Sequence, residues 1–421
     1  MRVAIVGTGV AGLTCAHLLH PEHDITVFES SAQPGGHAHT IGVREGGREH
    51  PVDTGFIVYN ERNYPIFSSL LRELGVATRA SDMSFAVSDE PAGIEWRGSS
   101  PASIFAQPWN LARPAFLRML RDVTRFNRAA RELLEHDGDL DYTLAEFLTD
   151  GGWSKGFHDW YLIPMGSAIW SADPDVFTEF PAVAFARFFY NHGLLGLGDR
   201  PEWRTVLGGS QTYVRAILEP LGERVRLATS VSRVMRTSRG VELTTSRGAL
   251  ESFDHVVIAT HSDQALALLD EPTDDEREIL GAIKYRSNTA TVHTDEALLP
   301  TRARARASWN WRQGPSGQPP TLTYDLSRLQ GIASTGPICL TLNGFDAVRP
   351  EHVLETMTYE HPVYNVATMK AQRRHGEIDG RNGVSFAGAY WGYGFHEDGV
   401  QSALRVVERM SSADEVVMAR Q

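Results

Sequence analysis

The sequence predicts an α/β protein: a parallel-sheet, dinucleotide-binding domain with a second, mixed α+β domain inserted into it. Three observations predict it. Residues 7–12 read GxGxxG between an apolar strand and a helix, a second apolar strand ends on Glu29, and from about 81 to 200 the sequence departs from that pattern. The 421 residues leave room for two or three domains.

Val3-Ala4-Ile5-Val6 is a short apolar run suited to a strand buried on both faces. Residues 11–19 read as a helix stopped before Pro21, and residues 24–29 form the second strand of a βαβ unit. Between them, Gly7, Gly9 and Gly12 permit a tight turn, close approach of a pyrophosphate to backbone N–H groups, and close helix-to-strand packing. Glu29 can accept hydrogen bonds from ribose hydroxyls and repels a 2′-phosphate. An adenine dinucleotide without that phosphate fits best.

Composition narrows the classes. Hydrophobic residues at 42% and charged residues at 22% describe a folded protein. A net charge of −12 disfavours non-specific attraction of the whole molecule to nucleic acid or an anionic membrane, so membrane contact requires a local patch. Cys15 and Cys339 lack CxxC or metal-ligand spacing, which argues against a disulfide scaffold, zinc finger or iron-sulfur cluster and points to a reducing cytoplasm. No signal peptide or transmembrane helix is expected, because no apolar run reaches about 18 residues and the first one enters Gly7-Thr8-Gly9. No metal site is expected either, since His17, His20 and His23 straddle Pro21 and cannot share one helix face. GxSxG, HExxH and P-loop patterns are absent.

Gln33-Pro34-Gly35-Gly36-His37-Ala38-His39-Thr40, followed by Val52-Asp53-Thr54-Gly55-Phe56, resembles the flavin-contacting segments of the FAD-dependent amine oxidase and phytoene desaturase superfamily. The resemblance continues at Gly208-Gly209-Ser210, residues 225–231 and 254–260, Val384 to Ala389, and Gly399-Val400-Gln401-Ser402-Ala403. It implies non-covalent FAD and a GR2-type, Rossmann-like domain assembled from residues 1–80, 201–262 and 376–415. The inserts 81–200, mainly helical, and 263–375, sheet-rich, would form the substrate domain, and 411–421 a C-terminal tail. The cofactor residues it implies are Gly7, Gly9, Ala11, Gly12, Glu29, Ser30, Gly35, Gly36, His37, Gly55, Phe56, Val231, Gly388, Ala389, Phe395, Gly399 and Val400. One departure is His37, where the superfamily usually has an arginine offsetting phosphate charge; a neutral imidazole still donates one hydrogen bond. Residues 162–171 and 390–399 resemble, more narrowly, bacterial FAD proteins associated with cyclopropane-fatty-acid-synthase-like methyltransferases and lipid modification.

In the first insert, residues 111–135 read as a helix with Phe116, Met119, Leu120, Val123, Phe126, Ala130 and Leu133 on one face. Arg118, Arg121, Arg125 and Arg128 take the other, a candidate surface for an anionic headgroup, a membrane or an acidic partner; Arg302, Arg304 and Arg306 form a second basic run. Most aromatics are expected in the core. The exception is residues 390–395, where glycines between aromatics suit a loop approaching a planar ligand. Tyr59, Trp170, Trp311, Tyr324 and Trp391 are candidate substrate contacts. His396 falls where amine oxidases place an aromatic-cage tyrosine. With Tyr393 and Glu397 it forms the candidate catalytic set, His396 favoured for the proton because an imidazole of pKa about 6.5 accepts one at neutral pH. Asp398 reads as structural. The expectation is a cytoplasmic FAD-dependent oxidoreductase, peripheral to the inner membrane face, that desaturates a long apolar substrate such as a fatty-acyl lipid. Its rivals are an amine oxidase and a flavin-bound, non-catalytic partner of a lipid-modifying enzyme. No nucleic-acid partner is expected.

Overall fold

Five parallel strands make the first layer, in the order Val225–Arg226, Asp24–Phe28, Arg2–Val6, His255–Ile258, Val384–Phe386. The central strand has every residue from Val3 to Val6 buried, because helices cover both faces of a parallel sheet. Val10–Leu19 is the first helix, and it packs beside the C-terminal helix His396–Met418. These chain segments lie far apart in sequence, yet their strands share one sheet. The computed structural model describes residues 1–135, 139–170, 177–196, 200–315 and 319–418.

A seven-stranded sheet forms the second layer, in the order Val353–Val363, Lys284–His293, Cys339–Leu342, Thr321–Asp325, Trp309–Gln313, Phe85–Asp89, Ile94–Arg97. Neighbours are antiparallel except Trp309–Gln313 beside Phe85–Asp89. Register places Val292, Leu340, Tyr324, Trp309 and Phe85 in line across one face. That face packs on the helices of residues 114–191 to form the largest apolar core. Two strands from the first insert therefore complete a sheet whose other strands come from the second, a joint construction that the separate helical and sheet-rich inserts do not anticipate.

Two boundaries differ from the sequence reading. The arginine-bearing helix begins at Pro114, because Arg113 is held extended (φ −94°, ψ 107°) by the proline that follows; residues 108–112 form a separate 3₁₀ turn. The C-terminal helix runs through Met418, past the expected start of a tail at 411. Residues 225–231 turn at Ala228 (φ 48°), so Val231 starts a separate antiparallel sheet of Val231–Thr237, Gly240–Thr245 and Leu250–Phe253. Among the described residues, no helix is long and apolar enough to cross a membrane.

Candidate active site

Three glycine-bearing segments meet at the start of the first helix. A Cβ on Gly36 would lie 3.2 Å from Gly9 Cα, and one on Gly399 2.6 Å from Val10 Cγ1. Gly7 (φ 103°) and Gly12 serve packing: a side chain on either would strike the Ala259 backbone or the Gly7 carbonyl. Gly9 differs, since a Cβ there meets nothing within 4 Å among the described residues. Gly9 precedes a helix whose first turn has no side-chain cap and no acid, leaving the N–H groups of Val10, Ala11 and Gly12 for an anion. This cradle fits a pyrophosphate.

Glu29 stands beside it. Its carboxylate accepts from Thr8 N (3.0 Å), Thr8 Oγ1 (2.5 Å) and Ser31 N (2.8 Å), and Ser30 Oγ donates at 3.2 Å. Thr8 Oγ1 also accepts from Gly35 N, tying the second glycine segment to the first. Thr229 N donates to Glu29 O, which brings the segment leading to Val231 alongside.

Asp53 organises the far wall, a role the sequence reading did not assign although it quoted the residue. It is buried and accepts from Thr40 Oγ1 (2.6 Å), Ser210 N (2.8 Å) and Ser210 Oγ (2.7 Å). Burial pushes its carboxyl up to about 6, against the pull of the Thr40 and Ser210 donors. Gln211 Nε2 donates to Pro34 O and Ala38 O, and Gln330 exchanges two hydrogen bonds with the Asp53 backbone. Buried polar residues between glycine motifs were the available signal.

His37 lies against Tyr359 (5.0 Å between ring centroids), His361 (5.4 Å) and His261 (6.2 Å), and its Nε2 is buried without a hydrogen-bond partner among the described residues. Burial, then the neighbouring His361 and His261, lowers its pKa to about 3. It is neutral at physiological pH and supplies no charge where an arginine would, so backbone amides and the helix terminus carry the compensation. Gly55 and Phe56 lie beneath it: Phe56 N donates to His37 O at 2.7 Å, and a side chain on Gly55 would strike that oxygen.

The structure gives His396, Glu397 and Asp398 separate roles, and Asp398 has the structural one expected of it. His396 is buried, stacks on Phe56 with centroids 3.5 Å apart, and has Nε2 2.9 Å from Tyr213 Oη. Burial, then His37, holds its pKa well below the usual 6.5, which corrects the expectation of an imidazole titrating near neutrality. Glu397 accepts from Ile66 N (3.0 Å) and Phe67 N (2.9 Å) and so caps the Pro65–Glu73 helix. That corrects its place in the catalytic set. Glu397→Gln is expected to lower stability by about 1 kcal/mol and leave the rate of flavin reduction within about twofold; a large fall in rate with unchanged stability would return it to chemistry. Asp398 Oδ2 accepts from Tyr393 N (3.0 Å) and Phe395 N (2.9 Å), fastening the aromatic loop to the helix start, and burial pushes its carboxyl up to about 7. Gly388 N donates to Ser402 Oγ, Ala389 lies opposite Gly399, and Val400 packs beside Val10 in a buried cluster.

The candidate substrate residues scatter. Trp170 is half-buried in the helical layer against Phe180, Phe185 and Phe188, and Trp311 and Tyr324 lie on the apolar face of the large sheet. Tyr393 and Phe395 reach the same core through Phe188, with centroids 5.9 and 5.3 Å apart. Tyr59 is buried against Tyr64 and Phe67, and Trp391 stacks on His375 (4.1 Å) and donates to Phe386 O beneath the parallel sheet. Both are core residues, correcting their assignment to substrate. Among the arginines, Arg125 pairs with Asp122 (2.7 Å) and lies over the Trp153 ring, so it is not a free anion contact as expected; Arg118, Arg121 and Arg128 are exposed. Ser171, within the quoted 162–171 segment, lies outside the described residues. Cys15 and Cys339 are buried in the first helix and in the large sheet, and the 389–395 loop contains no cysteine. No cluster that could hold a metal occurs among the described residues.

Residues 10–411 match the family of flavin containing amine oxidoreductases. A Mycobacterium tuberculosis protein named as a flavin-containing monoamine oxidase, AofH, is 26% identical over 345 residues, 77% of this chain and 70% of its own. Cyclohexylamine oxidase from Brevibacterium oxydans superposes with a TM-score of 0.71 at 17% identity, covering 97% of this chain and 99% of that one. A CLA-producing fatty acid isomerase from P. acnes gives 0.69 at 18%, covering 97% and 98%. Family match, fold and the cradle around Gly9 agree: this chain belongs to the flavin-containing amine oxidoreductase family and is an oxidoreductase whose cofactor is FAD.

Proposed function

We propose that this oxidoreductase takes a long apolar substrate, a fatty-acyl chain of a lipid, and desaturates it. The supporting observation is the aromatic path from Phe395 through Phe188 to Trp170, which leads from the loop before Gly399 into the helical layer. Apolar side chains hold an alkyl chain by removing its surface from water, at roughly 25 cal/mol per Å². Trp170 Nε1 and Tyr364 Oη are buried without hydrogen-bond partners among the described residues, neutral donors suited to a carbonyl or ester oxygen. Bound FAD supplies the two-electron acceptor for hydride from one carbon. The proton from the adjacent carbon is taken by His396 Nδ1 in the tautomer whose Nε2–H donates to Tyr213 Oη, because the carboxylates of Glu397 and Asp398 are held by backbone amides; burial disfavours the imidazolium, so the ring passes the proton on rather than keeping it. Phe56 and Phe67 fix the orientation of the imidazole.

Amine oxidation is the second reading, favoured by the names of AofH and cyclohexylamine oxidase. Anaerobic stopped-flow reduction separates the two. Acyl lipids are expected to bleach the flavin faster than amines, and reduction by amines alone would decide for the second reading. With the better substrate, His396→Asn is expected to slow reduction about a hundredfold at unchanged FAD content. Wild type should show no His396 inflection near pH 6.5, because burial keeps that ring neutral.

A further inference from the structure

Three large apolar side chains are exposed within nine residues of one another: Trp109 (47%), Leu111 (58%) and Leu117 (42%). Trp109 and Leu111 lie on the Pro108–Ala112 turn, and Leu117 opens the outward face of the Pro114–Glu135 helix. Arg121 and Arg128 follow Leu117 at steps of four and seven, so they share that face, with Arg118 at its flank. The helix buries Phe116, Met119, Phe126 and Ala130 on its other side, so the outward face is free of core duty. The guanidinium of Arg302 sits over the Trp109 ring at 4.5 Å, joining the second basic run to the first.

The charge is local and opposes that of the molecule. Residues 101–131 carry six arginines and one acid, Asp122, in a chain of net charge −12. Asp122 is buried and committed to Arg125 and Ser154 N. Arg118, Arg121, Arg128 and Arg304 are exposed, and among the described residues their side chains enter no ion pair. We propose that this face is a docking surface for an anionic lipid bilayer, with Trp109, Leu111 and Leu117 entering the headgroup boundary and the arginines meeting lipid phosphates. Arginines interleaved with exposed Trp and Leu match a bilayer interface, where indoles sit at headgroup level and guanidinium groups remain at the phosphates. An acidic protein surface would use the charges but leave three large apolar side chains in water.

The experiment uses the FAD-loaded full chain and does not depend on which substrate is turned over. Sedimentation is measured with vesicles of phosphatidylglycerol and phosphatidylcholine in equal parts, and with phosphatidylcholine alone. Wild type is expected to pellet with the anionic vesicles only, and to be released by high salt. Joint Arg118→Glu, Arg121→Glu, Arg128→Glu and Arg304→Glu should weaken partitioning at least about tenfold, with FAD content and unfolding temperature unchanged. Joint Trp109→Ser, Leu111→Ser and Leu117→Ser should weaken it on the same vesicles. Wild type that ignores phosphatidylglycerol, or either variant binding as wild type does, overturns the proposal.

Discussion

Gly9→Val is expected to fold as wild type does and to emerge from purification colourless, retaining less than about a tenth of the FAD. The two halves of that result have separate causes. A Cβ on Gly9 meets no atom of the described residues within 4 Å, and Gly9 has no positive φ, so valine costs the apoprotein little. The same open space is where a pyrophosphate must approach the amides of Val10, Ala11 and Gly12, and a branched side chain fills it. Gly12→Val provides the contrast, because its side chain would strike Gly7 O and the Ala259 methyl, so that variant loses stability as well as cofactor. Absorbance near the flavin maximum after denaturation and thermal unfolding of the apoproteins check both. A Gly9→Val protein with full FAD content would remove the cradle from the cofactor site.

Asp53→Ala is expected to cost about 3 kcal/mol and to loosen FAD binding, because it leaves Ser210 N, Ser210 Oγ and Thr40 Oγ1 without their shared acceptor. Those donors hold the chain around 40, 53 and 210 against one another, and through Gln211 the Pro34–Ala38 backbone as well. Asp53→Asn keeps the shape and removes the titration, which gives a pH test. Folding raises the carboxyl from its ordinary 3.8 to about 6, so within that window the folded state binds the proton more tightly than the unfolded chain does. Stability therefore falls as pH rises through the window, by about 3 kcal/mol, and is level above it. Chemical denaturation from pH 4 to 7 should show wild type losing ground to Asp53→Asn up to about pH 6 and no further. A constant or opposite difference would mean that the site solvates the ionised carboxylate fully.

The elements that the sequence determined by itself are those written in local pattern. A buried parallel strand, a glycine turn and a helix stopped before Pro21 are adjacent in the chain, so residues 1–29 specify their own βαβ unit, and the helix Gln211–Leu218 follows its glycines in the same way. The inward face of the Pro114–Glu135 helix was legible because its apolar residues recur at the helical period. Roles that depend on a partner distant in the chain were not. Glu397 differs from a catalytic acid only in lying 3.0 Å from Ile66 N, some 331 residues earlier, and Trp391 differs from a substrate contact only in stacking on His375. His396 reads as an imidazole of ordinary pKa until Phe56, Phe67 and Tyr213 surround it. Asp53 carries no motif of its own and gains a role when Thr40 and Ser210 converge on it. The physical reason is the same in each case: backbone preference and amphipathic period act over a few residues, whereas burial and hydrogen-bond partnership, which set the protonation and purpose of a polar side chain, are fixed only when distant segments pack together.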